Sequence, residues 1–330
     1  MSGRRNNKSK SDFKSFSMFE GEKNDKGFIY LQHDDEKLMD TALLESLWMM
    51  GAITLRSVKQ SEGQVVAAGG RALHTGRALA GRFHRRLAAN GTDYKLVETD
   101  TSASLPYAEM AALWNLGSEG DFDQTVIEFF NQAVALDMLR IGLNGQYVGF
   151  PTDPDAHPNG EDVNEGWHVL AKRFNEGSQV ITDPVTLGEG GDFSHLDTLV
   201  NHLIKNLIPK SMQEDPRLVV MVGSELAAKE RLRLFNGGDT PANVAAAQTA
   251  LSSVAGRFAF VPPFMPGKRL AVTTLANLHI YTQERTRKVF AGFVDERDEY
   301  EYSYLRAEGY ALQDGFMYAA VDEEALTLIG

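Results

Sequence analysis

The chain has 330 residues, 43% of them hydrophobic, with a formal net charge of -12 and no cysteine. That supplies core for one large or two modest domains. The acidic balance argues against a general nucleic-acid binder while leaving room for a local basic patch, and the missing cysteine excludes disulfides, thiolate metal sites and thiol catalysis.

No apolar run approaches the roughly 18 residues of a membrane span. The first residues also lack the apolar core of a signal peptide, so no export and no membrane partner is expected. Residues 1–27 are polar and carry Arg4, Arg5, Lys8, Lys10, Lys14, Lys23 and Lys26, interrupted by Phe13, Phe16, Met18 and Phe19. Composition predicts a mobile arm; the aromatic insertions point to docking, and a free tail is the reading that composition alone favours. From Asp34 to Met50, Leu38, Ala42, Leu43, Leu47 and Trp48 recur at helical spacing behind an Asp34 or Asp35 cap, and Gly51 ends the run. Ile53–Val58 and Gln64–Ala68 read as strands joined by a turn at Ser61-Glu62-Gly63.

Gly69 to Gly91 holds Arg71, Arg77, Arg82, Arg85 and Arg86 with His74 and His84, contains no acid, and is broken by Gly69, Gly70, Gly76 and Gly81. Three readings compete: phosphate binding along a nucleic-acid backbone, an arm lying over an acidic neighbour, and a solvated basic loop. Phe83 alone is available for base stacking, which disfavours single-strand binding. Tyr94–Thr99 is expected to return as a pairing strand. Pro106–Leu116 reads as a short helix with Met110, Leu113 and Trp114 on one side.

Asp121 to Asn144 is the organising element. Asp121 and Gln124 have capping-box spacing. Val126, Phe129, Phe130, Ala133, Leu136 and Leu143 form an apolar stripe. Arg140 lies in the last turn, where a cation suits the helix dipole, and Asn144-Gly145 is the stop. At about 1.5 Å per residue the helix runs roughly 33 Å, a beam between two unlike parts.

The acids of 150–165 fail as a calcium loop. Counting from Asp153, the sixth position is Pro158 and the twelfth Asn164. Trp167–Phe174 is a short helix or turn. Asp192 or Ser194 is expected to cap a helix through Leu196, Leu199, Val200, Leu203, Ile204 and Leu207, stopped by Pro209, with Leu199 and Leu203 in the core. Leu218–Val222 is a buried strand, Ser224–Leu234 a helix, and Thr240-Pro241 an N-cap followed by proline at the first helical position. Phe258–Val261, Leu270–Thr273, Leu278–Tyr281, Arg287–Phe293 and Glu299–Tyr310 read as strands. In the last, Tyr300, Tyr302 and Tyr304 share one face and Glu299 and Glu301 the other. Asp314-Gly315 is a hairpin signal, with Phe316–Val321 returning.

Motifs for chemistry are missing. Val220-Met221-Val222-Gly223-Ser224 lacks the glycine–lysine pattern of a phosphate loop. His195 and His202 stand seven apart with no carboxylate constellation, and no serine sits in a G-x-S-x-G turn. No catalytic residue, cofactor or metal is expected.

The segment Gly190-Gly191-Asp192-Phe193, Leu196-Asp197, Leu199-Val200, Asn206-Leu207-Ile208 and the run Gln213-Glu214-Asp215-Pro216 to Leu218-Val219-Val220-Met221-Val222-Gly223 closely resembles the P2-like tailed-phage major capsid proteins. Gly142-Leu143-Asn144-Gly145, Asp162-Val163 with Gly166-Trp167, and Leu275, Asn277-Leu278, Ile280-Tyr281 with Arg287-Lys288-Val289 match in the same order. The resemblance covers residues 120–320 well and 34–120 loosely.

It implies an α+β, HK97-type capsid fold with a long spine helix, an antiparallel peripheral sheet, an α/β axial domain and an extended loop. On this chain that gives an arm at 1–33, a helix at 34–51 and the extended loop at 52–103. The peripheral domain takes 104–184 and 276–330 with the spine helix at 121–144, and the axial domain takes 185–275. The implied function is a non-enzymatic major capsid protein. It self-assembles into hexamers and pentamers of an icosahedral virion head, assembled in the host bacterial cytoplasm around double-stranded DNA without sequence-specific contact. The implied partners are a scaffold protein, a portal and a maturation protease. In the family the leading segment is longer and is clipped by that protease; here the stretch before Asp34 is short. A shell of the same fold around protein cargo, and an α/β enzyme using Ser224, are the two other readings. For the assembled form, the expected intersubunit contact joins Arg71, Arg77, Arg82, Arg85 and Arg86 to the acidic run Asp295, Glu296, Asp298, Glu299 and Glu301 on another copy.

Overall fold

The computed structural model describes residues 23–66, 74–86, 91–116, 122–236 and 252–329. The greater part of the expected arm, Arg71, the Asp121 cap, the side chains of Leu113 and Trp114, and Thr240-Pro241 lie outside them. The chain divides into two compact units, Met1–Ser61 with Lys95–Met138 and Tyr281–Gly309, and Glu62–Tyr94 with Leu139–Ile280 and Tyr310–Gly330. No helix among the described residues is long and apolar enough to cross a membrane.

The first unit is built on a sheet whose strand order is Ile29–Tyr30, Lys288–Val294, Glu299–Leu312, Leu278–Gln283 and Thr54–Val58. Val97–Pro106 also pairs Glu299–Leu312, antiparallel from Val97 opposite Glu308 to Pro106 opposite Glu299. Alternation decides the buried face: Tyr300, Tyr302 and Tyr304 are buried. Phe130 of the long helix Phe122–Asn144 stacks on Tyr302 with ring centroids 5.1 Å apart. The expected sheet beside the long helix is therefore present. Its apolar stripe needs correction. Phe129 is exposed, whereas Val134, Ala135, Met138 and Leu139 are buried. The sequence is apolar around most of the helix, so spacing alone could not choose the inward face.

Two arginines are sunk in this unit. Arg287 donates from Nη1 to Asp40 Oδ1 at 2.6 Å and also reaches Ser57 and Thr282. Arg306 pairs with Glu308 at 2.5 Å and donates to Thr101 Oγ1 at 2.9 Å.

The single helix expected from Asp34 to Met50 is broken. His33–Ser46 and Trp48–Ala52 are separate because Leu47 is extended, and Gly51 lies inside the second. The cap residue is Gln32, whose N–H donates to Asp35 Oδ2 at 3.0 Å. Thr54–Val58 pairs Leu278–Gln283 rather than the described part of Gln64–Ala68, of which Ala67 and Ala68 lie outside the described residues. Glu62–Gln64 pairs Asp93–Lys95, so residues expected to turn are themselves strand.

The second unit holds a mixed sheet ordered Val180–Ile181, Ala319–Val321, Leu270–Thr273, Val219–Val222, Arg257–Phe260, Ser253–Val254. Val219–Val222 is parallel to Arg257–Phe260 and antiparallel to Leu270–Thr273. The helix Leu196–Leu207 lays Leu196, Leu199, Val200, Leu203 and Ile204 into the core, which Leu226 and Ala227 of the helix Ser224–Asn236 share. The expected burial of Leu199 and Leu203 is observed.

The cap of Leu196–Leu207 is His195, not Asp192 or Ser194. Asp192 instead accepts from the Thr186 N–H at 2.9 Å and hydroxyl at 2.7 Å. Asp314-Gly315 does not make a hairpin. Asp314 Oδ1 accepts from the Phe316 N–H at 3.0 Å and caps a 3-10 turn, Gly315–Met317. The following Ala319–Val321 runs antiparallel to Leu270–Thr273 and parallel to Val180–Ile181. Wholly apolar and short, it suits the interior of this sheet.

At the end of the long helix, Asn144 Nδ2 donates to the Arg140 and Phe264 carbonyls at 2.9 and 3.0 Å. Arg140 lies over the Phe264 ring, 4.1 Å from its centroid. Gly142 is required by packing: a Cβ there would stand 2.5 Å from the Trp167 ring.

Candidate functional site

The basic loop is the first candidate. Arg77, Arg82, Arg85 and Arg86 are all exposed. The chain bends at 79–81 with Gly81 at φ +76, a conformation that favours glycine. Phe83 lies across Gly76, where a Cβ would come within 2.7 Å of the ring. The described part of the loop thus folds on itself at Gly76 and Phe83, with Arg77, Arg82 and Arg86 exposed.

The acidic run is less uniform than its composition. Asp295, Glu296 and Asp298 are exposed, whereas Glu299 and Glu301 are half-buried. Arg297, which the charge count of the run passed over, reaches both. It stands 3.9 Å from Glu299 and in closer contact with Glu301. Part of the charge expected to meet a neighbour is therefore neutralised within the chain.

Among the described residues, His168, Asp322 and Glu323 form the one group with metal-ligand character. Their oxygens already face cations. Asp322 Oδ2 lies 2.6 Å from Lys172 Nζ and 3.2 Å from His168 Nε2. Arg269, itself buried, clamps Glu323 through Nε and Nη2 at 2.7 and 2.6 Å, and its Nη1 donates to the Leu143 carbonyl. This is a closed ion-pair network tying the end of the long helix to the C-terminal segment. A carboxylate only accepts, so His168 Nε2 carries the proton toward Asp322, and Nδ1 accepts from Tyr318 Oη at 3.3 Å.

Burial, then the Arg269 charge, depresses the His168 pKa from 6.5 to about 4. A histidine held neutral in the fold stabilises it fully above pH 6.5, and that contribution is lost as pH falls toward 4. The loss amounts to about 3 kcal/mol. The hydrogen bond from His168 also holds Asp322 well below the usual carboxylate range, so its own loss comes at lower pH. We expect the melting temperature of the intact chain to fall between pH 6.5 and 4, and His168→Gln to flatten that slope. Equal slopes in the two proteins would show that His168 does not set it.

The remaining sequence candidates stay apart from one another. His195 caps its helix, and His202 Nδ1 lies 3.0 Å from Asn206 Nδ2 on the same helix. Ser224 opens its helix, exposed. Asp153 Oδ1 accepts from the Asp155 and Ala156 N–H groups, both at 3.1 Å, as a turn cap does.

Relatives connect these features. The family model described as "Phage major capsid protein, P2 family" matches residues 18–324. The "Capsid proteins" of Escherichia phage P2 are 28% identical over 180 residues, covering 51% of this chain and 50% of that relative. The chain thus aligns with about half the length of this curated relative. Among solved structures, a chain of the "Satellite phage P4 procapsid including size determination (Sid) protein" superposes with a TM-score of 0.74 at 21% identity, over 89% of this chain and 91% of that one. That likeness gives the fold, the HK97 type seen in phage capsids, and the proteins of this family are structural rather than catalytic. The chain belongs to the P2 family of phage major capsid proteins.

Proposed function

We propose that this protein is the major capsid subunit of a tailed-phage head, assembling with copies of itself into hexamers and pentamers of an icosahedral shell around double-stranded DNA. The observation that carries this reading is the family match over residues 18–324. The exposed arginine loop and the closed core networks are consistent with a protein that works through surfaces, repeated by symmetry.

In this reading 104–184 and 276–330 form the peripheral domain and 185–275 the axial domain, except that Val180–Ile181, Ala319–Val321 and Leu326–Leu328 join the sheets of the latter. Residues 52–103 form the extended loop and 1–33 the arm. Its arginines meet carboxylates of another copy, Asp295, Glu296 and Asp298 being the exposed ones of the acidic run. A scaffold protein, a portal and a maturation protease are the further partners, and assembly takes place in the host bacterial cytoplasm.

Negative-stain microscopy of the purified chain, alone and co-expressed with a scaffold protein, tests the proposal. Closed shells or ring-shaped capsomers are expected. A protein that stays a compact monomer or dimer under both conditions would overturn it.

A further inference from the structure

The loop that follows the long helix is held by its own backbone. The N–H groups of Gln146 and Tyr147 donate to the Glu161 carbonyl at 2.7 and 3.1 Å, and that of Gly149 to the Asp162 carbonyl at 2.6 Å. The Asp153 N–H donates to Asp162 Oδ2 at 2.6 Å. Tyr147 Oη lies 3.2 Å from His157 Nε2. Yet this ordered loop displays apolar side chains: Tyr147 and Val148 are exposed, and Phe150 is wholly exposed. Asp153 and Asp155, also exposed, follow directly.

The arginine loop carries the complement. Leu79, at its bend, is wholly exposed and lies between Arg77 and Arg82 in a stretch without an acid. Since Leu79 and Phe150 are both fully open to solvent, neither covers the other within one chain. A second copy supplies both. An apolar anchor ringed by opposite charges is how protein interfaces combine strength with register, and a loop already ordered loses little freedom on docking. The chain between Gln64 and Asp93 is long enough to extend roughly 45 Å from its paired base, out and back, so reaching a neighbour is feasible.

We infer that Leu79 of one copy seats against Phe150 of another, with Arg77 and Arg82 facing Asp153 and Asp155. This rests on the shell reading and gives Arg77 and Arg82 the carboxylates Asp153 and Asp155, in place of Asp295, Glu296 and Asp298.

The absence of native cysteine makes the test clean. Particles assembled from the full chain carrying Leu79→Cys with Phe150→Cys, oxidised with copper–phenanthroline, should run as a ladder of linked chains on non-reducing gels. Each single variant should stay mainly monomeric. Phe150→Cys alone should react with a maleimide at least tenfold more slowly in particles than in free subunits. No ladder, equal labelling in the two states, or a ladder from Leu79→Cys with Glu296→Cys in its place would overturn the contact while leaving the shell intact. Absence of particles from the unmodified chain would instead remove the shell reading, and this contact with it.

Discussion

Replacing Arg269 with methionine should lower the unfolding free energy by about 3–5 kcal/mol, the range for breaking a buried ion pair from one side. The guanidinium is buried, and its three contacts are not interchangeable. Nε and Nη2 form a fork on the Glu323 carboxylate, and Nη1 donates to the Leu143 carbonyl, one of the last acceptors of the long helix. Methionine fills much of the volume, so the loss is one of partners rather than of packing. Glu323→Gln should cost less, because the amide oxygen still accepts from Arg269.

The double variant should cost clearly less than the sum of the two, the sign of residues acting as a pair. There is a second readout. Arg269 helps to depress His168, so Arg269→Met should raise the His168 pKa from about 4 toward its ordinary value, which histidine NMR would report. Equilibrium urea unfolding gives the free energies. A loss below about 1 kcal/mol with an unmoved His168 would mean that the network is incidental.

What the sequence revealed, and what it hid, follows from the range of the interactions concerned. Leu196, Leu199, Val200, Leu203 and Ile204 lie on one helical face, so periodicity alone named the core of the second unit. The alternation of Tyr300, Tyr302 and Tyr304 did the same for the sheet. Local chemistry failed where its signal was shared by two outcomes. Asp314-Gly315 suits a hairpin and a 3-10 turn equally, and only the distant pairing of Ala319–Val321 with Leu270–Thr273 decided between them.

Two-residue strands such as Val180–Ile181 have no periodicity to read. Arg269, Arg287 and Arg306 were invisible as buried groups because charge argues for exposure. The partners of the first two, Glu323 and Asp40, stand 54 and 247 positions away. In the candidate surfaces the arginine loop was legible by its composition. The exposure of Phe150 was not, since an aromatic residue beside a proline in a loop says nothing about where it points. Arg297 could have been found: an arginine inside an acidic run is itself the signal.

Reversing Arg77, Arg82 and Arg86 to glutamate should leave the subunit folded and stop shells from closing. All three are exposed, on a loop without an acid of its own, so the fold gives up little when their charge changes. One solvent-exposed pair contributes only about 0–1 kcal/mol, too little to hold two subunits together. A closed shell repeats the contact at every subunit. Reversal also turns each attraction into a like-charge contact with Asp295, Glu296 and Asp298, or with Asp153 and Asp155, so the sign change counts twice. Arginine further matches carboxylates with a two-pronged geometry that fixes register as well as charge.

The unmodified protein should show the same dependence in milder form, assembling less readily as salt rises and the Debye length shrinks from about 10 Å at 0.1 M to about 3 Å at 1 M. Circular dichroism should find the triple variant as folded as the parent, and sedimentation should find it as capsomers or free subunits. If it closes into normal shells that fail to retain DNA, the loop touches the packaged nucleic acid and not a neighbouring subunit, since counterion release on a phosphate backbone obeys the same salt dependence. The two outcomes differ in which object is lost, the shell or its contents, and one sedimentation run with nuclease treatment separates them.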